Sequence, residues 1–492
     1  MRHASLVLLF AFMSCSSPEP APEAPTQPNI VILLADDLGY EDVSFNGGDI
    51  PTPNIDRLAA EGAKLDRFYV HPVCSPTRAG LMTGRYPIRF GSMKAVYPPW
   101  REGGMDTSEA TIANMLATAG YEHRGIFGKW HLGHGDVKYH PMRRGFTEFI
   151  GHYNGAIDFF THEREGELDW HRGYESNYDE GYSTDLIADA AVKFIEAQAG
   201  GDSPFLCYVP FNAVHSPFQG KEEHLPLFAE LAPVKGDWRG ATSINPGVPA
   251  SEAMLANRRI LGAMNHSMDE GVGRILDALD AAGIADNTLV IFSSDNGGVG
   301  GVGSNYPLRG AKASAFEGGI RVAAAARWPG RIPAGSTVST PLGNIDVMPT
   351  LMAAAGVEDH GGKPLDGIDM LPVLSGENTT MQRELYNYIG QTGPDNEQIT
   401  VMDNDWKLLV IGPVVTDESA DDSKRMRYLF HLSEDIAETT NVAAEHPERV
   451  AEMYEKLKAF RALQPADAIV PYNEGRDNPD WKAPKEWLIP GS

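Results

Sequence analysis

Cysteine is scarce in this sequence, with three residues in a chain of 492. Three cysteines cannot build the dense disulfide framework of small secreted domains, and a chain of this length has room for a large apolar core instead. Cys207 lies in the apolar run PFLCYVPF, where a cysteine behaves as a small buried hydrophobic residue. Cys15 and Cys74 lie in segments of a different kind, which suggest chemical modification or reactivity rather than packing.

Positive charge is also in short supply, because 41 Lys and Arg residues face 67 Asp and Glu residues and leave a net charge of -26. Such a charge argues against nucleic acid or an acidic membrane surface as the main partner. It also repels a polyanionic substrate at long range, unless the binding pocket is locally positive or salt screens the field.

An apolar run of secretory length occurs at the N-terminus, in MRHASLVLLFAFMSC. Its basic start and small residues before Cys15 resemble a bacterial lipoprotein signal over residues 1–14, which implies lipid attachment to Cys15. The run is too short for a mature membrane-spanning helix, and an ordinary secretory signal is the alternative. Residues 15–28 are Pro-rich and predict an extended tether. We expect an exported bacterial protein, periplasmic or on the cell surface, held by lipid at the outer membrane.

Nearly continuous apolar runs alternate with helical patterns between residues 29 and 385. The runs include NIVILLADD, HRGIFGKWH, FLCYVPFNAVH and TLVIFSSDNGG. Continuous rather than alternating apolar runs are typical of a parallel sheet that is covered on both faces. The pattern predicts an α/β catalytic domain over 29–385, with a large, mostly parallel sheet sandwiched by helices.

After residue 385 the pattern changes to short alternating strands, in ELYNYIG, QITVMDNDWKLLVIG and MRYLFHLSED. An amphipathic helix, HPERVAEMYEKLKAFRAL, follows them. We expect residues 386–492 to form a smaller C-terminal subdomain of antiparallel sheet plus helix.

Acidic and amide side chains follow two of the predicted strands, and parallel sheets place their sites at the carboxyl ends of the strands. These residues are Asp36, Asp37, Asp295 and Asn296. Brought together they offer only oxygen ligands, which suit calcium or magnesium and not zinc. The alternative is that each pair forms a turn or a helix cap.

Basic side chains follow the other runs or lie in nearby loops: Arg78, Lys129, His131, His215 and Lys312. Beside a cation they would make a positive pocket for a tetrahedral anion, such as a phosphate or sulfate ester. Each is individually compatible with a structural or surface role.

Cys74 opens the segment CSPTRAGLMTGR, which begins as a loop and continues as a helix. A thiol at a helix N-terminus and close to Arg78 is expected to have a lowered pKa. Residue chemistry alone thus favours a thiolate nucleophile.

The same segment, Cys74 to Arg85, resembles the signature of the formylglycine-dependent sulfatases: Cys, any residue, Pro, any residue, Arg, and a later Gly-Arg. Further motifs similar to that family follow in order, from LADDLGY through GKWHLG, VHSPF and SSDNGG to PLRGAK and LFHLSEDIAETTNVAAEHP. The similarity covers about residues 28–465. The segments GAIDFFTH and DGIDM and the C-terminal domain are similar to the arylsulfatase B and N-acetylgalactosamine-sulfatase-like branch. The similarity implies an alkaline phosphatase-like fold and hydrolysis of sulfate esters.

The resemblance implies that Cys74 does not act as a thiol. A maturation enzyme, the formylglycine-generating enzyme, would recognise Pro76 and Arg78 and oxidise Cys74 to formylglycine. The hydrated aldehyde attacks sulfur, the alcohol leaves, and collapse of the diol releases sulfate. Thr77 replaces the Ser or Ala of many relatives at a variable position, so we expect maturation to survive.

The resemblance also implies individual roles. A divalent cation, usually calcium, would bind Asp36, Asp37, Asp295, Asn296 and residue 74. Arg78 would steady the hydrated aldehyde, and Lys129 would contact both it and the sulfate. His131 would take the proton during elimination, whereas His215 and Lys312 would assist departure of the bridging oxygen.

The natural substrate is expected to be a sulfated polysaccharide or oligosaccharide, because the predicted export and the family suit external glycans. Segments 152–180 and 216–250 are expected to line the sugar entrance. Candidate contacts are Asn154 or His152 for sulfate and His162, Trp170, His171 and Trp238 for sugar. Two alternatives stay open: a phosphodiester or phosphonate monoester hydrolase of the same superfamily, and an inactive lipoprotein that binds sulfated glycans.

Overall fold

The structure is a computed structural model that describes residues 27–237, 251–378 and 381–487. The predicted signal, Cys15 and Trp238 lie outside these residues. In the described ranges the strands are β1 Asn29–Ala35, β2 Ala63–Leu65, β3 Phe68–Tyr69, β4 His123–Lys129, β5 Glu148–His152, β6 Glu163–Arg164, β7 Glu167–Leu168, β8 His171–Arg172, β9 Glu175–Ser176, β10 Phe205–Pro210, β11 Thr288–Ser294, β12 Arg321–Val322, β13 Ala324–Arg327, β14 Ser336–Val338, β15 Leu342–Gly343, β16 Glu384–Ile389, β17 Glu397–Asp403, β18 Trp406–Gly412 and β19 Met426–His431.

The α-helices of the same ranges are α1 Pro53–Ala60, α2 Cys74–Thr83, α3 Ile112–Thr118, α4 Ser183–Gln198, α5 Glu252–Ala281, α6 Glu317–Ile320, α7 Val347–Ala355, α8 Leu371–Leu374 and α9 Pro447–Arg461. None of them combines the length and the apolar character that crossing a bilayer requires.

Ten strands form one large sheet, in the order β14-β2-β13-β11-β1-β10-β4-β5-β8-β9. The five central strands, β11 to β5 in that order, run parallel, and the antiparallel pairings lie toward both edges. This arrangement confirms the predicted fold class.

Successive residues of the central strand β1 point into different apolar layers. Ile30, Ile32 and Leu34 pack in the layer that also contains residues of α2, α3 and α7. Val31 and Leu33 pack in the opposite layer, with residues of α1, α4 and α5. A strand buried on both faces must be apolar at every position, which is why NIVILLA shows no polar alternation.

The smaller sheet is antiparallel, in the order β16-β17-β18-β19, and α9 packs against it through Met453, Leu457 and Phe460. The predicted domain boundary after residue 385 falls inside β16. Beyond α9 the chain returns to the large domain, where Trp487 is buried in the main core. We call residues 463–487 the C-terminal segment.

Candidate active site

The predicted site residues lie together beyond the carboxyl ends of the central strands. Asp36 and Asp37 follow β1, Asp295 and Asn296 follow β11, Lys129 ends β4, and His215 follows β10 by five residues. Because these strands are parallel and adjacent, their carboxyl ends bring the side chains to one edge of the sheet.

Cys74 is the first residue of α2 and is buried. Its Sγ lies 3.5 Å from Asp36 Oδ1, 4.0 Å from Asp37 Oδ1 and 3.6 Å from Lys312 Nζ. Asp37 has a φ of 61°, in the left-handed region, and this interrupts the strand alternation that would send consecutive side chains to opposite faces. Both carboxylates therefore reach the same sulfur atom.

Each of these carboxylates is paired with a lysine. Lys129 Nζ donates to Asp36 Oδ2 at 2.6 Å, and both groups are fully buried. Lys312 Nζ lies 2.6 Å from Asp37 Oδ1, and His215 Nε2 lies 3.6 Å from Asp37 Oδ2. Positive groups thus occupy the surroundings of Cys74 within an acidic protein.

Arg78 stands one helical turn after Cys74 and is fully buried. Its Nε and Nη2 donate to Asp295 Oδ2 at 3.0 and 2.8 Å, and its Nη1 donates to the Lys129 carbonyl at 2.9 Å. The guanidinium therefore holds the carboxylate that follows β11 and the end of β4 in fixed positions relative to α2.

The carboxyl groups differ in their protonation. Burial raises the pKa of Asp36 to about 7, although Lys129 opposes the shift. Burial also opposes ionisation of Asp37 and Asp295, but nearby cations outweigh it and lower the pKa of each, Lys312 foremost at Asp37 and Arg78 foremost at Asp295. Two of the three carboxylates are thus held ionised.

The predicted lowering of the Cys74 pKa is wrong for this structure. Burial, reinforced by the charge of Asp295, raises the pKa of the thiol above its usual range and outweighs Lys129 and Lys312. Arg78, which sequence spacing places beside the sulfur, instead donates to Asp295 and the Lys129 carbonyl.

Two histidines line the site. His131 is buried, with Nε2 3.2 Å from the Tyr97 carbonyl oxygen and Nδ1 without a hydrogen-bond partner among the described residues. Gly155 packs so closely on the ring that a Cβ there would lie 2.5 Å from His131 Cε1. Burial, followed by Lys312, lowers the pKa of His215 to about 3, and burial also lowers the pKa of His131. Both shifts favour the neutral imidazole.

The donor set fits a hard divalent cation. Carboxylate oxygens of Asp36 and Asp37, the hard ligands of the group, lie within 4.8 Å of each other, of Cys74 Sγ and of a His215 ring nitrogen, whereas Asp295 lies outside this group. Asn296 Nδ2 donates to Asp37 Oδ1 at 2.8 Å, which leaves Asn296 Oδ1 buried and, among the described residues, without a partner. A buried carbonyl oxygen next to ionised carboxylates is a ligand that calcium or magnesium accepts.

A second cluster, His224, His266 and Glu270, also brings ligand atoms within 4.8 Å. There the Lys221 ammonium lies 3.7 Å from Glu270 Oε2, while both histidines lie 3.6 Å from the same carboxylate. The Lys221 ammonium already lies beside this half-exposed carboxylate, so the cluster resembles a surface ion-pair network.

The site opens into a cavity of about 360 Å³ that contains Cys74, His131, His215 and Lys312 in its lining. Sequence reasoning missed three polar lining residues: Arg164, Gln391 and Tyr472. Arg164 falls within segment 152–180, which the sequence predicts at the entrance. Of segment 216–250, the described part, 216–237, contributes no lining residue.

The candidate sugar and sulfate contacts lie elsewhere. Asn154 is buried and donates from Nδ2 to Asp169 Oδ2 at 2.9 Å, and His152 is buried beside it with Nδ1 2.9 Å from the Asn154 carbonyl oxygen. His162 is buried and stacks on Trp170, at 4.8 Å between centroids. The structure does not bring these side chains, or the buried His171, into the lining of the cavity.

Comparison with known proteins agrees with this geometry. The sulfatase family model matches residues 28–357. N-acetylgalactosamine-6-sulfatase of Mus musculus is 34% identical over 457 residues, which cover 84% of this chain and 82% of the relative. Arylsulfatase A of Homo sapiens is 31% identical over 485 residues, covering 89% and 87% of the two chains.

Solved structures give the same result. The structure of Ps i-CgsB in complex with k-i-k-neocarrahexaose superimposes with a TM-score of 0.79 and 29% identity, covering 92% of this chain and 96% of that one. Phosphonate monoester hydrolase of Agrobacterium radiobacter superimposes with a TM-score of 0.63 and 22% identity, covering 90% of this chain and 97% of that one. This similarity shows a shared fold alone. The chain therefore belongs to the sulfatase family and is a sulfuric ester hydrolase.

Proposed function

We propose that this protein removes sulfate from a sulfated polysaccharide or oligosaccharide, with formylglycine made from Cys74 as the nucleophile and calcium as the bound cation. Magnesium is the alternative cation. The observation that carries the proposal is the position of Cys74: it lies at the first residue of a buried helix, 3.5 Å from Asp36 and 3.6 Å from Lys312, and lines the cavity.

Asp36, Asp37, Asp295 and Asn296 would hold the cation, together with the oxygen of a modified residue 74. When bound, the cation would polarise the sulfate and stabilise the ionised form of the nucleophile. Formylglycine would supply a hydrated aldehyde, which has one oxygen for attack and a second hydroxyl for release of sulfate.

The protein's own residues would position the substrate and move protons. Lys129 and Lys312 place two ammonium groups next to Asp36 and Asp37 and would neutralise the charge that develops on the sulfate oxygens. Arg78 would hold the Asp295 carboxylate in a fixed position relative to α2. His131, whose buried Nδ1 has no partner among the described residues, would accept the proton when sulfate is eliminated.

His215 would protonate the bridging oxygen from Nε2. Burial keeps the pKa of His215 low in the free protein, at about 3. A bound sulfate ester adds negative charge beside the ring and would raise that pKa, which the acid role needs. Substrates with good and poor leaving groups test this role: His215→Ala should slow the poor leaving group far more, and equal slowing of both would contradict it.

Carbohydrate is the favoured substrate class. The solved neighbour Ps i-CgsB was crystallised with k-i-k-neocarrahexaose, and the mouse relative is named N-acetylgalactosamine-6-sulfatase. The cavity lining adds flat faces, from Pro98, Pro99 and Tyr472, against which the apolar side of a sugar ring can pack.

Export and lipid anchoring complete the proposal. Residues 1–14 would be removed, Cys15 would carry lipid, and residues 15–28 would link it to β1, which begins at Asn29. Membrane fractionation of wild-type protein and Cys15→Ser tests this step. The variant should appear in the soluble fraction, and equal membrane retention of both would contradict lipid attachment.

Mass spectrometry of the Cys74 peptide, from protein produced with an active formylglycine-generating enzyme, tests the nucleophile. We expect an aldehyde at position 74. An intact thiol in folded, active protein would contradict it.

Turnover of an aryl sulfate, a phosphate diester and a phosphonate ester then tests the preferred ester, and we expect the sulfate to be hydrolysed fastest. Binding of sulfated glycan without sulfate release, after confirmed maturation, would favour the inactive binding protein.

A further inference from the structure

Arg164 is a cation of the cavity wall that the reaction itself does not use. It ends β6, in the hairpin formed with β7, and lines the same cavity as Cys74 and Lys312. Its Nε is buried and has no hydrogen-bond partner among the described residues. Its Nη2 lies 3.3 Å from Glu165 Oε1, but the Glu165 side chain is 40% exposed. The Arg164 side chain is itself 24% exposed, so its guanidinium retains unused donors in the wall of the cavity that contains Cys74.

The backbone of Arg164 is fixed by the C-terminal segment. Trp487 Nε1 donates to the Arg164 carbonyl oxygen at 3.1 Å, and Trp487 itself is buried. The Trp487 ring contacts His134 edge to face, at 5.4 Å between centroids. His134 is three residues after His131, so one aromatic side chain ties the hairpin to the segment that carries a proposed catalytic histidine.

The C-terminal segment also supplies another part of the cavity wall through Tyr472. The Tyr472 ring packs edge to face on Trp100, at 5.1 Å between centroids, and its backbone N donates to the Gln391 carbonyl at 3.0 Å. Arg101 Nη1 donates to the Val470 carbonyl at 2.8 Å. These contacts hold Tyr472 in place, as expected of a surface that positions a ligand.

We propose that Arg164 forms a second oxyanion subsite, which binds a carboxylate or a further sulfate of the saccharide beside the sulfate ester that is hydrolysed. Tyr472 packs against the sugar ring that lies between the two anions. The inference rests on the proposed function, because it takes the substrate to be a saccharide.

Two physical arguments support an oxyanion as the ligand. A buried guanidinium N–H without an acceptor is costly, and the planar group matches carboxylate or sulfate oxygens two at a time. The net charge of -26 repels an anionic chain at long range, so attraction for a second anion has to come from a local cation.

The experiment uses matured, full-length protein and three kinds of substrate. They are an aryl sulfate, a disaccharide with one sulfate ester, and the same disaccharide with an added carboxylate or an added sulfate. For Arg164→Ala we expect the ratio of kcat/KM for the doubly anionic sugar to that for the aryl sulfate to fall roughly 10- to 100-fold, mainly through KM. Comparing the two doubly anionic sugars distinguishes carboxylate from sulfate as the ligand.

Matched variants separate the subsite from general effects. Arg164→Lys keeps the positive charge but loses the planar guanidinium that can donate to two oxygens at once. It should therefore restore only part of the kcat/KM ratio that Arg164→Ala loses. Trp487→Phe removes the donor to the Arg164 carbonyl while keeping a ring, and should lower the same ratio by less than Arg164→Ala. Arg172→Ala, whose side chain is 60% exposed and outside the cavity lining, is the control and should leave the ratio unchanged.

An unchanged ratio in Arg164→Ala, or an equal loss on all substrates, would overturn the proposal. Calorimetric binding of the doubly anionic sugar to Cys74→Ala, with and without Arg164→Ala, gives a readout without turnover. Weaker binding of roughly 10- to 100-fold in the double variant supports the subsite, and equal binding overturns it. Failure of the wild type to hydrolyse any sulfate ester would instead count against the proposed function.

Discussion

Two of the buried charge clusters in the described part of this protein differ in what surrounds them. The catalytic cluster, around Cys74, opens into a cavity. The other, which we call the interdomain cluster, consists of Tyr69, Glu317, Lys407 and Glu438 and joins the large domain to the C-terminal sheet. All four residues are buried, and none lines the cavity of the active site.

The interdomain cluster pairs its charges internally. Lys407, on β18, lies 2.9 Å from Glu317 Oε1 and 2.9 Å from Glu438 Oε1. The Tyr69 hydroxyl donates to Glu317 Oε2 at 2.9 Å, and the Glu317 backbone N donates to Glu438 Oε2 at 2.6 Å. One ammonium between two carboxylates, with hydrogen bonds to their other oxygens, is the arrangement that lets buried charge persist without a ligand.

The catalytic cluster keeps buried atoms unused. Asn296 Oδ1 and His131 Nδ1 have no hydrogen-bond partner among the described residues, and neither has Nε of Arg164 in the adjoining cavity wall. Burial of charge is therefore common to both clusters and does not identify function. Glu438 Oε1 of the interdomain cluster also has no hydrogen-bond partner among the described residues, but the Lys407 ammonium lies 2.9 Å away and neither residue lines the cavity. What distinguishes the active site is that its unpartnered buried atoms lie at an open cavity.

The largest effect is expected from Asp37→Asn. Asparagine tolerates the left-handed backbone at this position, so the change removes one charge with little strain. It weakens the cation site and leaves Lys312 without its ionised partner, 2.6 Å away in the wild type. We expect kcat/KM for an aryl sulfate to fall by about a thousandfold or more, measured with calcium in excess.

Asp395→Asn, at an exposed position in the C-terminal subdomain, is the matched control and should retain full activity. Circular dichroism of both variants should resemble the wild type, which separates loss of activity from loss of the fold. Near-normal activity of Asp37→Asn would show that the carboxylate is not required, and would remove the basis for a cation at this site.

A smaller effect, and one on stability alone, is expected from Lys407→Met. The change leaves Glu317 and Glu438 buried without their shared cation, which costs about 3–5 kcal/mol of unfolding free energy. Urea denaturation measures the loss, and kcat/KM of the folded protein should change little because the cluster lies outside the cavity lining. Lys424→Met, on an exposed turn, is the control. A large loss of activity in folded Lys407→Met would contradict the separation of the two clusters.

The sequence was sufficient to predict the parts of the site that lie at strand ends. Parallel strands terminate at one edge, so Asp36, Asp295 and Lys129 could be placed together from apolar runs and the residues after them. Arg164 and Tyr472 could not be placed in this way. They lie in a hairpin and in the C-terminal segment, which are brought together by tertiary contacts, and the spacing of apolar residues in the sequence does not reveal such contacts. The predicted direction of the Cys74 pKa shift is wrong for a related reason, since helix position is visible in a sequence and burial is not.

The pH dependence of the free energy of unfolding should reflect the titration of the buried Glu438 carboxyl group. Burial, against the opposing charge of Lys407, raises the pKa of Glu438 to about 7 from an ordinary value of 4.5. The folded state therefore holds a proton that the unfolded state releases between about pH 4.5 and 7, and this contribution to stability is lost as pH rises through that window. Urea midpoints for wild type and Glu438→Gln should diverge with pH across this range, and parallel curves would contradict the shift.

The smallest effect on stability is expected from breaking an ion pair on the protein surface. Lys458 and Glu455 form a pair on α9 with 2.6 Å between Nζ and Oε1, which is as short as Lys129 to Asp36. Their side chains are 38% and 69% exposed, so water already solvates both ions and the pair gains little from contact. We expect the urea midpoint of Glu455→Gln to equal that of the wild type within error. A shift as large as that of Lys407→Met would mean that distance, and not burial, determines the cost of breaking an ion pair in this protein.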